Sequence, residues 1–166
     1  MIRQLTLLLA TFFCLSANYP QSPSLLASLH LLSEKEEFVV EVWERHDKPL
    51  DRFLRISCIA RCANKIRYEE DVSDFPLGLT ATDEGHIVVT TWVGATSAFA
   101  RVYVFDSRSV RKVLDSYSKR TPTVIQNDES GLTVQLFQRA SSKADPALPL
   151  RERRWHWNGS NGAWIK

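Results

Sequence analysis

The stretch HIVVTTWVGATSAFARVYVFD, residues 86–106, decides how the rest of the chain is read. It offers a strand from Ile87 to Val93, a loop of small residues through Gly94, Ala95, Thr96 and Ser97, and a returning strand from Phe99 to Phe105. A loop of about five residues lies within the range for a β-hairpin. On the returning strand Val102 and Val104 face one way while Arg101, Tyr103 and Phe105 face the other, so apolar side chains stand on both faces. A strand of that kind belongs in a sheet covered on both sides.

Outward from this hairpin the same signal recurs. FVVEVW, from Phe38, alternates Phe38, Val40 and Val42 against Val39, Glu41 and Trp43, and its β-branched residues suit a pleated, half-buried surface. TPTVIQNDESGLTVQLFQR reads as a strand, a turn from Asn127 to Gly131, and a second strand with Leu132, Val134 and Leu136 on one face. The last residues form a hairpin from Trp155 to Trp157, through Asn158, Gly159, Ser160, Asn161 and Gly162, to Trp164. Two segments favour or allow a helix. SPSLLASLHLLSEKEE reads either as a short helix starting near Ser22 with Pro23 in its first turn or as a strand around Leu29 to Leu32; Leu25, Leu26, Leu29 and Leu32 fit the helical period, which favours the helix. Residues 110–117 place Val110, Val113, Leu114 and Tyr117 at helical spacing, with Lys119, Arg120 and Pro122 as a stop, yet VRKVL also serves as a short strand. YEEDVSDF reads as a solvated acidic loop, and ASSKADPALPLRERR as a linker.

Three six-residue segments, starting at 38, 87 and 132, share one template: an aliphatic or aromatic residue, a β-branched residue, Val, two variable positions and an aromatic. The starts are 49 and then 45 residues apart, a period close to that of a propeller blade. The succession of an Asp and Gly turn, Val88-Val89 followed by Trp92, the small-residue loop, Arg101-Val-Tyr-Val-Phe105 and the closing Trp155-His-Trp-Asn-Gly159 hairpin resembles the β-repeat, propeller-blade-like domains of exported bacterial proteins. That resemblance covers the chain from about Phe38 onward and implies an exported β domain. Integrin-type members of that group carry an Asp-rich calcium loop; Asp83-Glu84-Gly85 lacks the array, so calcium is not carried over. Three units are fewer than the four blades a propeller needs. The expected architecture is therefore mainly β, with antiparallel hairpins forming an open twisted sheet, a small sandwich or a half-barrel, and at most one or two short helices.

The chain has 166 residues, enough for one domain with a sizeable core. Its 44% apolar and 24% charged content excludes a disordered or fibrous protein. Lys and Arg number 21 against 19 Asp and Glu, and a net charge of +2 gives no basic field for nucleic acid. MIRQLTLLLATFFCLSA has a basic start, an apolar run from Leu5 to Leu15 and small residues at Ser16 and Ala17. It reads as a signal peptide within residues 1–22, leaving a single β-rich domain over 23–166 without a transmembrane helix, because the run is shorter than the roughly 20 residues a span needs. Phe12 and Phe13 before Cys14 do not fit lipidation. Export, to the periplasm or beyond, leaves Cys58 and Cys62, which are expected to pair as a disulfide around a small turn. The four histidines, His30, His46, His86 and His156, are scattered singly, so neither a metal site nor a cofactor is read from them.

No Gly-rich phosphate loop, HExxH, nucleophile elbow or CxxC is present, and no catalytic residue is assigned. The three clustered tryptophans, Trp155, Trp157 and Trp164, either close a core or, with His156 and Asn158 among the polar groups near them, form a platform for a sugar ring. Asn158-Gly159-Ser160 is also a glycosylation sequon. The leading expectation is an exported, non-catalytic binding domain for an unknown protein or cell-envelope glycan, with the terminal hairpin or the 94–97 loop as its surface. The alternatives are an accessory or inhibitor protein of a hydrolase, a carbohydrate-binding module, and a hydrolase with a shallow site at His86 beside Asp83 and Glu84.

Overall fold

A computed structural model of the chain describes residues 22–32, 36–46, 50–62, 66–82, 87–105, 109–127, 131–139 and 149–165. Every regular element among them is a strand. The first sheet contains β1 (Ser24–Leu32), β2 (Glu37–Glu44), β3 (Arg52–Ala60) and β4 (Ile66–Val72). The second contains β5 (Phe75–Ala81), β6 (Ile87–Val93), β7 (Ala98–Phe105) and β8 (Val110–Ser118), and the third β9 (Thr123–Asn127), β10 (Gly131–Gln138), β11 (Arg151–Trp157) and β12 (Gly162–Ile165). Each sheet is an antiparallel meander in which every strand pairs with its neighbour in sequence, and no sheet closes into a barrel. The mainly β, open antiparallel architecture expected from the sequence is the one observed.

The sheets stack in chain order, and the middle one is covered on both sides. Val88, Trp92, Tyr103 and Phe105 pack against Phe38, Val40, Val42, Leu54 and Ile56 of the first sheet. From the opposite face Ile87, Val89, Ala100, Val102 and Leu114 pack against Leu132, Val134, Leu136, Trp155 and Trp157 of the third. This is the two-faced burial that the alternation in residues 99–105 demands. The three template segments occupy β2, β6 and β10, the second strand of each sheet. First strands also meet: β1 packs against β5, and the Gln126 side chain of β9 donates to the Ala81 carbonyl of β5.

Three local expectations are corrected, and one open alternative is decided. Residues 24–32 form a strand where a helix is expected, because β2 offers an unpaired edge and the ladder it supplies outweighs leucine's helix preference. A bulge between Leu25 and Ala27 resets the alternation, so Leu31 is buried while Leu25, Leu26 and Leu32 remain exposed. Residues 110–117, which allow either conformation, are strand throughout, since Val110 and Leu114 reach the two opposite cores. YEEDVSDF is not a loop but most of β4, its connection and the start of β5; Glu69 and Glu70 alternate between solvent and the gap between sheets. The segment Arg151–Arg154 belongs to β11, not to a linker, and pairs with Gln135 through Gln138.

Candidate functional site

The terminal hairpin is built inward from its turn. Asn158 Oδ1 accepts from the backbone N–H groups of Ser160 and Asn161, at 3.2 and 2.9 Å, and from the Ser160 hydroxyl, so the side chain fastens the turn. Gly159 has φ 88°, a conformation open to glycine. Register places Trp164 opposite Trp155 and Gly162 opposite Trp157, so the three indoles share one face of the third sheet. That face is the core side: Trp155 and Trp157 are 3% and 4% exposed, their rings 6.1 Å apart. Trp164 is 38% exposed, with the Arg153 guanidinium 4.3 Å from its ring centre. His156 points to the other face, where Nδ1 lies 3.1 Å from Thr133 Oγ1. The hairpin thus separates the residues named for a sugar platform: two indoles close the core, one lies at its margin, and the histidine is on the reverse side.

Cys58 and Cys62 lie at disulfide distance, with their Cα atoms 5.9 Å apart. The turn is local. Phe38 pairs with Cys58 and Glu37 with Ala60, leaving Ile59 as the extra residue of a bulge, and Arg61 adopts φ 62° to bring Cys62 back over the strand end. A residue that spacing alone did not reveal joins them: a Glu36 carboxylate oxygen and the two sulfurs lie within 4.8 Å of one another. Only the β2 and β3 register exposes that neighbourhood.

The acidic run is consumed in ion pairs. Glu69 faces Arg55 at 3.1 Å, Asp71 faces Arg45 at 2.9 Å, and Asp74 faces Arg101 at 3.3 Å. Glu70 enters the gap between the first two sheets, where Lys112 Nζ donates to it at 2.7 Å and the Tyr68 hydroxyl at 2.5 Å, with the Tyr103 hydroxyl at 3.3 Å. Burial pushes the Glu70 carboxyl up, but the hydrogen bonds from Lys112 and Tyr68 and the charges of Lys112 and Arg101 outweigh it and hold the group below its ordinary value. Burial first, and then the Glu70 carboxylate, raise both phenols well above their usual range. One carboxylate held ionised and two phenols held neutral clasp the sheets together and leave no proton poised to move near neutral pH. His86, the residue named for a shallow hydrolase site, and its neighbours Asp83 and Glu84 lie outside the described residues.

At the opposite end of the middle sheet from the Cys58 turn, the 94–97 loop closes with the Gly94 N–H donating to the Ser97 carbonyl at 2.8 Å. Gly94 sits close against its neighbours, since a Cβ would stand 2.8 Å from Asp74 Oδ1 and 3.2 Å from the Phe99 ring and would have to shift the Asp74 side chain. Beside this loop runs a shallow groove walled by Leu77, Val93, Lys119, Arg120 and Thr121. Leu77 and Val93 are exposed. Lys119 Nζ donates to Ser97 Oγ at 2.8 Å, and the Arg120 guanidinium lies 5.3 Å from the Phe137 ring centre. Two hydrogen bonds, one between backbone groups and one to a side chain, fix this cationic wall to the third sheet: Lys119 N–H donates to the Phe137 carbonyl at 2.7 Å, and Phe137 N–H to Ser118 Oγ at 3.0 Å. Among the described residues neither cation is ion-paired, unlike Arg45, Arg52, Arg55, Arg101 and Lys112.

Among the described residues no helix is long and apolar enough to cross a membrane. No family model matches the sequence, and a search of curated proteins finds no match.

Proposed function

We propose that the protein is an exported, non-catalytic binding domain, a blade-like β-repeat scaffold whose partner docks at the groove beside the 94–97 loop. One observation carries this reading: exposed Leu77 and Val93 adjoin two cations, Lys119 and Arg120, that have no carboxylate partner among the described residues. An acidic loop flanked by apolar side chains on a protein partner complements that combination, and such charge matching governs approach and orientation. The leader pattern in residues 1–17 and the Cys58–Cys62 pair support export. Burial of Trp155 and Trp157 favours the loop end over the terminal hairpin as the binding surface.

The test is capture of partners from a cell-envelope extract by the tagged protein and by two variants whose circular dichroism and melting match it. Lys119→Glu with Arg120→Glu is expected to lose the captured partner, while Trp164→Ala retains it. The reverse pattern would place recognition at the terminal hairpin. A tryptophan emission change on titration with soluble glycans that Trp164→Ala abolishes would make the ligand a carbohydrate.

A further inference from the structure

The turn that ends β3 holds a donor set whose chemistry changes with its covalent state. Cys58 is fully buried, whereas Cys62 and Glu36 are partly exposed. One carboxylate oxygen and the two sulfurs lie within 4.8 Å of one another, delivered by two strands whose register holds them at the same sheet end. While the sulfurs are bonded to each other they are poor metal donors, because the thiolate is the ligand. A dithiol reductant changes that: the protein disulfide becomes two thiols as the reductant closes to its own disulfide, two electrons and two protons passing to the protein.

We propose that in this reduced state Glu36, Cys58 and Cys62 form a binding site for a thiophilic divalent cation, zinc by preference. Two thiolates and one carboxylate, with no imidazole, suit a tetrahedral ion of borderline softness better than magnesium or calcium, which require oxygen shells. Tetrahedral zinc with bonds of roughly 2.3 Å to sulfur and 2.0–2.2 Å to oxygen needs its donors roughly 3.5–3.8 Å apart. The Cα separation of 5.9 Å lets the two sulfurs open to that distance by side-chain rotation, and the carboxylate has less than about 1.5 Å to travel. Binding releases the two thiol protons, and the exposed side of the turn leaves the fourth position to water. Disulfide and metal are therefore mutually exclusive closures of the same turn.

The proposal is independent of the groove and is tested on the full chain without any partner. A phosphine reduces the disulfide, taking oxygen from water to become its oxide and leaving no competing thiol. Cobalt(II) is then added as a spectroscopic probe, and zinc stoichiometry is measured by equilibrium dialysis. The reduced protein is expected to bind one equivalent, with sulfur-to-cobalt charge-transfer absorption and the d–d bands of a tetrahedral ion, while the oxidised protein shows neither. Glu36→Gln, at a partly exposed position and checked for an unchanged circular dichroism spectrum, is expected to weaken binding by about tenfold or more, the least that loss of a direct ligand should cost when outer partners are worth about 10–100-fold. Cys62→Ser is expected to remove the charge-transfer band. Equal binding by oxidised and reduced protein, absence of tetrahedral bands, or unchanged affinity in Glu36→Gln would each overturn the assignment.

Discussion

Gly162 shows how one residue can set the end of a fold. The Trp155 indole covers it so closely that an added Cβ would overlap the ring. Gly162→Ala must therefore displace an indole from a core, and overpacking of that kind costs about 1–3 kcal/mol. Urea denaturation is expected to show a lower midpoint with an unchanged slope. Glu70 makes a different prediction. Its folded pKa lies below the ordinary 4.5, so the unfolded chain binds the proton more tightly. The stability this contributes is present above about pH 4.5 and is lost as pH falls through the depressed folded value. Melting temperature against pH is expected to decline more gently on the acid side in Glu70→Gln, from a lower starting point at neutral pH. A parallel acid limb in the two proteins would show that Glu70 does not control it.

At the scale of strands, what the sequence reveals depends on whether a segment's own pattern decides its structure. β2, β6 and β10 are legible because β-branched residues and a two-sided apolar alternation leave few other ways to bury them. β1 is not, since its leucines satisfy a helical period and only the neighbouring edge of β2 makes them a strand. Arg52–Ala60, with two arginines and the bulge at Ile59, escapes pattern reading, although its pairing on both sides buries Phe53, Leu54 and Ile56. β11 looks like linker because Arg151, Glu152, Arg153 and Arg154 are all exposed; its strand conformation comes from β10. The site follows the same rule. The 94–97 loop is visible as a hairpin tip, but Lys119 and Arg120 read only as the stop of a helix until the strands bring them beside it. Glu36 stands 22 residues before Cys58, and only pairing brings them together. Within β6, the Trp92 indole N–H donates to Thr90 Oγ1 at 2.7 Å, on the same buried face. Thr90→Val keeps the shape but orphans the donor, at an expected cost of about 1–3 kcal/mol. Thr123→Val, at an exposed position of β9, is expected to leave the midpoint near that of the wild type.

For the molecule as a whole, the middle sheet belongs to both cores, so damage to either outer core reaches it. Leu54→Ala in the first core and Leu136→Ala in the second are each expected to cost about 2–5 kcal/mol. Because β6 and β7 contribute one face to each core, both variants should lower one common transition followed by near-ultraviolet dichroism and by tryptophan emission alike. Two separate transitions would mean that the third sheet melts by itself, as weakly coupled repeats do. The sequential meander has a kinetic meaning as well. Since every ladder joins strands adjacent in the chain, each strand-pairing step closes a hairpin, and no strand waits for a distant partner within its sheet. On a ribosome the first sheet is complete in sequence once Val72 has emerged, yet Phe38, Val40, Leu54 and Ile56 stay bare until the second arrives. Synthesis order becomes assembly order, and the interval between the first and second sheets is when a chaperone would find its most exposed substrate.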